Sequence, residues 1–146
     1  MSTFDPNLIL NAETSEANDT QLIPVPESDD GYMAVISKVE IRAAGDKPVA
    51  ELHWDIDDQQ VQAATGRDKN TVRQTVWLDL TANGTLDMSK GKNTGLGKVR
   101  DAVGQNQAGK PWSFGTLQGS VARVFVSHRI LDDGQIIAQI KRVTKA

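Results

Sequence analysis

Five stretches of this chain alternate apolar and polar residues with a period of two, and that pattern limits the fold more than any other feature of the sequence. The clearest covers residues 71–80. Val72, Val76, Leu78 and Leu80 mark one face, and Arg73, Thr75, Trp77 and Asp79 mark the other. Successive side chains of a β-strand point to opposite faces of its sheet, so each run reads as a strand with one buried face. In residues 32–42, Met33, Val35, Val39 and Ile41 share one face, and Lys38, Glu40 and Arg42 share the other with Tyr32, Ala34 and Ile36. Residues 49–56 set Ala50, Leu52, Trp54 and Ile56 against Glu51, His53 and Asp55. Residues 119–128 set Ala122, Val124 and Val126 against Arg123, Phe125 and Ser127, and residues 135–143 turn Ile136, Ala138 and Ile140 inward. Gly45-Asp46, Asn83-Gly84 and Asp132-Asp133-Gly134 are turn signals between runs.

Two segments break the period. Asp57 and Asp58 can cap a helical turn, Val61, Ala63 and Ala64 favour helix and Gly66 can end it, so residues 57–66 read as a short helix or an extended loop. Asn93 or Thr94 can cap a second helix reaching about Val103, with Leu96, Val99 and Val103 at helical spacing and Gly104 as its stop. Gly97 weakens it by about 1 kcal/mol relative to alanine. The expected fold is mainly β: a five-stranded antiparallel OB-like barrel, with one helix between the third and fourth strands and an extended N-terminal arm. Another small β barrel or sandwich with a helix shares parts of this pattern.

Charge divides the chain. Residues 1–30 contain seven acids and no Lys or Arg, whereas residues 31–146 hold sixteen bases against twelve acids. Residues 1–30 therefore read as an acidic, partly disordered arm, interrupted by the apolar patches Leu8-Ile9-Leu10 and Leu22-Ile23, ahead of a domain spanning 31–146. Positive charge peaks in residues 89–100, where Lys90, Lys92, Lys98 and Arg100 stand among Gly91, Gly95 and Gly97 with no acid. Glycine lets backbone N–H groups approach a ligand closely.

Catalytic signatures are missing. The chain has no Gly-x-Ser-x-Gly, no His-Glu-x-x-His and no Walker A pattern, so a non-enzymatic role is expected. With no cysteine and two histidines, disulfides and thiolate zinc sites are ruled out and no cofactor is implied. The run Asp55, Asp57, Asp58 is more simply a strand end and a helix cap than a metal cluster. There is no apolar run of spanning length and no secretory pattern, so neither a membrane nor a secretory route is expected.

Cations and aromatics carry the binding signal. Single-stranded nucleic acid is held by aromatic planes that stack on bases and by cations that follow the phosphates. Trp77 and Phe125 are the candidate stackers. Arg73, Lys90, Lys92, Lys98, Arg100 and Arg123 are the candidate phosphate contacts, with Lys98 and Arg100 on the exposed side of the second helix. Trp54 is expected in the core. Trp112 and Phe114 are expected to plug one end of the barrel.

The series Phe4-Asp5-Pro6, Ile23-Pro24-Val25-Pro26, residues 31–40 (Gly31-Tyr32-Met33 onward), Thr65-Gly66-Arg67-Asp68-Lys69, Thr71-Val72-Arg73-Gln74, residues 86–93 and Gly109-Lys110-Pro111-Trp112-Ser113-Phe114 resembles a family of small conserved proteins of tailed bacteriophages. The resemblance covers nearly the whole chain. It implies a single-stranded DNA-binding protein of phage replication or recombination, acting in the host cell cytoplasm beside other phage replication or recombination proteins, with a homo-oligomer as one possible form. Proteins of that function commonly end in an acidic tail, whereas residues 140–146 here carry Lys141, Arg142 and Lys145 and no acid. The alternative is a phage protein-interaction or virion module, or an inhibitor of a host protein, working through the N-terminal arm.

Overall fold

β1 (Tyr32–Ala44) and β2 (Lys47–Ile56) are joined by the two residues Gly45 and Asp46, a hairpin whose left-handed corner falls on the glycine (φ 66°). These strands belong to the computed structural model, which describes residues 4–15 and 22–146. Short helix α1 (Pro6–Asn11) precedes the hairpin, and α2 (Gln59–Thr65) links it to β3 (Asn70–Trp77). Then follow α3 (Thr94–Ala102), a single 3-10 turn (Phe114–Leu117), β4 (Val121–Ile130) and β5 (Ile136–Thr144). All neighbouring strands run antiparallel, in the order β3-β2-β1-β4-β5.

The five expected strands form, but their sheet stays open. β3 and β5 are its two edges, and they approach within 8 Å (Cα–Cα) without exchanging ladder hydrogen bonds. Arg73, Arg129 and Lys141 line the seam between them. Cationic side chains along facing edges oppose zipping, which is how natural sheets protect an edge.

The core collects Ile36, Leu52, Trp54, Val124 and Val126 from the sheet, Leu96 and Val99 from α3, Val61 from α2 and Leu117 from the 3-10 turn. Trp54 is fully buried, as expected, and its indole Nε1 donates to Gln74 Oε1 at 2.8 Å. Trp112 and Phe114 pack edge to face at 5.1 Å between centroids, half-buried against the core. The middle segment resolves as a helix rather than a loop. Asp58 Oδ1 accepts from Val61 N at 3.1 Å, and Gly66 ends the helix in the left-handed region.

Two expected faces need correction, and β1 shows which of its two faces is buried. In β1 the buried residues are Tyr32, Ala34 and Ile36, on the face opposite Met33 and Val35. A register shift between Ile36 and Lys38 inserts one residue, so Val39 turns inward beyond it. Leu80 and Ile136 are each 43% exposed, because Leu80 lies past the end of β3, bridged to Leu86, and Ile136 lies at the tip of the β4–β5 hairpin.

The packed body begins ahead of residue 31. Ile23 is buried, its carbonyl accepts from His128 Nε2 at 2.7 Å, and the Pro24 carbonyl accepts from the Tyr32 hydroxyl at 2.8 Å. Residue 31 must be glycine, since its φ is 64° and a Cβ would lie 2.6 Å from the Val124 carbonyl oxygen. Of the two apolar patches in the arm, the second docks through Ile23 and the first forms α1, none of whose residues is buried. Residues 1–3 and 16–21 of the arm lie outside the described residues.

The Tyr32 phenol is pushed above its ordinary value of 10, first by burial and then by repulsion from Asp58 and Glu27. A raised folded-state value means that the stabilisation is complete below about pH 10 and is lost as pH rises through the folded value. Tyr32 is the chain's one tyrosine. Its absorbance titration is therefore expected to show a single ionisation above that of free tyrosine, shifting downward when Ile23 and Pro24 are both replaced by glycine.

Candidate nucleic-acid interface

β3 presents Arg73, Thr75 and Trp77 on its outer face, as its period requires, and Trp77 remains 57% exposed. Behind Trp77 the chain turns at residues 81–84 and returns to Asp87, whose Oδ1 accepts from the Ser89 hydroxyl at 2.6 Å and from Ser89 N at 3.0 Å. Those bonds, the hydroxyl first, hold the Asp87 carboxyl below the usual carboxylate range. Asn93 fastens this loop to the end of β3. Its Oδ1 accepts from Asp79 N at 2.8 Å, and its Nδ2 donates to the carbonyls of Asp79 and Asp87, each at 2.9 Å. Asn93 thus occupies the N-cap position of α3 without bonding the helix through its side chain, and it adopts φ 52°, a region asparagine tolerates. Lys90 and Lys92 lie exposed on the loop so fixed.

One hollow is lined by Trp77 and Asp79 with Thr94 and Gly95 at the start of α3. A second, which shares Gln74 and Gly95 with it, lies between α3 and the end of β5, where Lys98, Lys141, Arg142 and Lys145 line about 480 Å³. A third trough, about 690 Å³, follows the β3–β5 seam past Arg73 and Arg129. Gln74 lines all three and joins them. Arg142 also lies over the Phe125 ring, 4.1 Å from its centroid, and so connects the second hollow to the outer face of β4.

Several candidate residues are engaged differently from expectation. Arg100 is the main correction. It is 7% exposed, its Nε donates to the Gln105 carbonyl at 3.1 Å, and its guanidinium lies 4.3 Å from the Trp112 ring centroid. The helix turns it inward with Val99, so it holds the connector after α3 instead of meeting solvent. Arg73 keeps an exposed side chain but sits 3.3 Å from Glu51 Oε1. Glu51 is itself buried and also accepts from Arg42 Nε at 2.7 Å. Phe125 is half-buried, with Arg142 over one face and Gly31 at its edge. Arg123 reaches the Asp30 carbonyl at 3.4 Å. Trp77, Lys90, Lys92 and Lys98 stay accessible.

Arg129, Lys141, Arg142 and Lys145 were not among the sequence candidates. The signal was present in the basic run at 141–145, but its place beside α3 depends on the tertiary contact between β5 and α3. Asp55 and Asp58 serve local structure, Asp55 accepting from the Thr71 hydroxyl at 2.6 Å. Among the described residues, no three His, Asp or Glu side chains gather as metal ligands. No protein-family model matches the chain, and no curated protein is significantly similar to it.

Arg100→Ala removes a buried hydrogen bond and a cation–π contact, and is expected to lower stability by about 1–3 kcal/mol. Lys98→Ala, one helical position pair away and exposed, is expected to change it by no more than about 0.5 kcal/mol. Urea unfolding of the two variants measures the contrast.

Proposed function

We propose that this chain is a non-enzymatic, OB-like protein that binds single-stranded DNA with little sequence preference, in phage replication or recombination. The observation that carries the reading is a pair of hollows that share Gln74 and Gly95 in their linings. One is lined by the exposed indole of Trp77, the other by Lys98, Lys141, Arg142 and Lys145. A plane for a base and a row of cations for the backbone are the two elements that sequence-tolerant strand binding requires. Lys90 and Lys92 extend the row on the Trp77 side, and Arg123 with Phe125 extend it beyond Arg142.

The OB-like assignment draws support from strand order. Joining β3 to β5 would close the order β3-β2-β1-β4-β5 into a five-stranded ring, and α3 packs against both of those strands. The acidic net charge is no obstacle to this reading. Glu40 and Glu51 are paired with Lys38, Arg42 and Arg73, and neither lines the α3–β5 hollow.

Affinity for oligo-dT is expected to fall linearly with salt on logarithmic axes, with a slope of about 0.7 per phosphate neutralised. Lys98→Ala and Lys141→Ala should each flatten that slope, while Trp77→Ala should weaken binding by about 1–3 kcal/mol with the slope unchanged. Fluorescence titration at several salt concentrations reads all three. An absence of binding at low salt would refute the proposal.

A further inference from the structure

α1 is a helix with apolar side chains and no body to bury them in. Phe4, Leu8, Ile9 and Leu10 are between 65% and 79% exposed, and no residue of α1 is buried. The helix is started locally, by Asp5 Oδ1 accepting from Asn7 N at 2.9 Å and by Pro6 in its first turn. Six residues are far fewer than a helix needs to persist alone in water, so a covering surface would stabilise it. Exposed apolar side chains gathered in so short a segment are of the kind that marks an interaction site, unlike apolar residues scattered singly. The charge around them has one sign: residues 1–30 carry seven acids and no Lys or Arg.

The surface of the same chain offers the complement. The hollow between α3 and β5 is lined by Gly95, Ala102 and Val143 and by the cations Lys98, Lys141, Arg142 and Lys145, with Asp101 as its one acid. Four cations against one carboxylate leave the lining net positive, and with small and apolar residues among them it suits an apolar helix on an acidic arm, the helix-in-groove mode of recognition.

We propose that the N-terminal helix of a second copy of this chain seats in the α3–β5 hollow. In its own copy no residue of α1 is buried, and the chain that follows is pinned by Ile23 at His128, opposite Ala138 near the start of β5 rather than its end. Reciprocal exchange of the two arms closes as a two-fold dimer, whereas one-way exchange would propagate as a filament. The apolar contact supplies attraction, and the acidic arm against the cationic lining sets its orientation and its salt dependence. This association does not rest on the single-stranded DNA reading. DNA and arm would meet the same lysines, so an arm seated in the hollow would also compete with a strand there.

Sedimentation velocity of the full-length protein without nucleic acid, across a range of concentrations and salt, tests the proposal. The expected result is a concentration-dependent dimer that weakens as salt rises. Two double variants on exposed positions, Leu8→Asp with Leu10→Asp and Lys98→Glu with Lys145→Glu, should each sediment as monomers. An equimolar mixture of the two should regain a dimer, because the intact arm of the second meets the intact hollow of the first. A monomeric wild type, a dimer that survives either double variant, or a mixture that stays monomeric, as an arm seated in its own copy would give, overturns it. Oligo-dT titration of the same proteins reads the DNA proposal separately, since failure of either measurement leaves the other interpretable.

Discussion

A buried indole N–H needs an acceptor, and leaving it unpaired would cost about 1–3 kcal/mol. Trp54, near the end of β2 and completely enclosed, finds that acceptor on the adjacent strand, in the side-chain amide of Gln74. The requirement places a polar residue on the inward side of an edge strand. Gln74 then borders each of the three troughs that meet along β3. Core satisfaction and the shape of the candidate interface therefore depend on one residue pair.

Around that pair, two irregularities decide which side chains face out. The shift between Ile36 and Lys38 in β1 brings Val39 inward, and the shift between Phe125 and Val126 across from β5 leaves Lys141 unpaired at the seam. The second has the larger consequence. It leaves Lys141 without a partner on β4 while keeping Arg142 opposite Phe125, and both cations line the α3–β5 hollow. A bulge bends its strand and re-aims side chains without changing composition, so the alternating pattern on either side of it looks unbroken when read along the chain.

The outer face of β1, β2 and β3 shows the opposite arrangement. Glu51 is buried among Arg42, Arg73 and His53, and Lys38 holds the Glu40 carboxyl below its usual range, chiefly by hydrogen bonding. Charges there are largely matched in pairs. Unmatched positive charge collects instead where α3 meets β5. Breaking the Arg42–Glu51 contact would leave a buried carboxylate poorly compensated, so this face acts as a structural surface beside the cationic one.

The sequence by itself determined the five strands, the helix between the third and fourth, the buried Trp54 and the outward face of Arg73, Thr75 and Trp77, and left residues 57–66 open between helix and loop. Each follows from local period, capping residues and side-chain size, which neighbours along the chain are enough to specify. Tertiary structure alone decided that Arg100 turns inward over Trp112, that Phe125 lies under Arg142, and that Lys141 and Lys145 join Lys98 across a groove. Those outcomes depend on contacts between residues far apart in the chain, and on bulges whose parity change leaves no mark in the alternation. The seam between β3 and β5 belongs to the same class: whether two edges zip or stay apart depends on the cations facing each other across it, and only the folded chain sets that spacing.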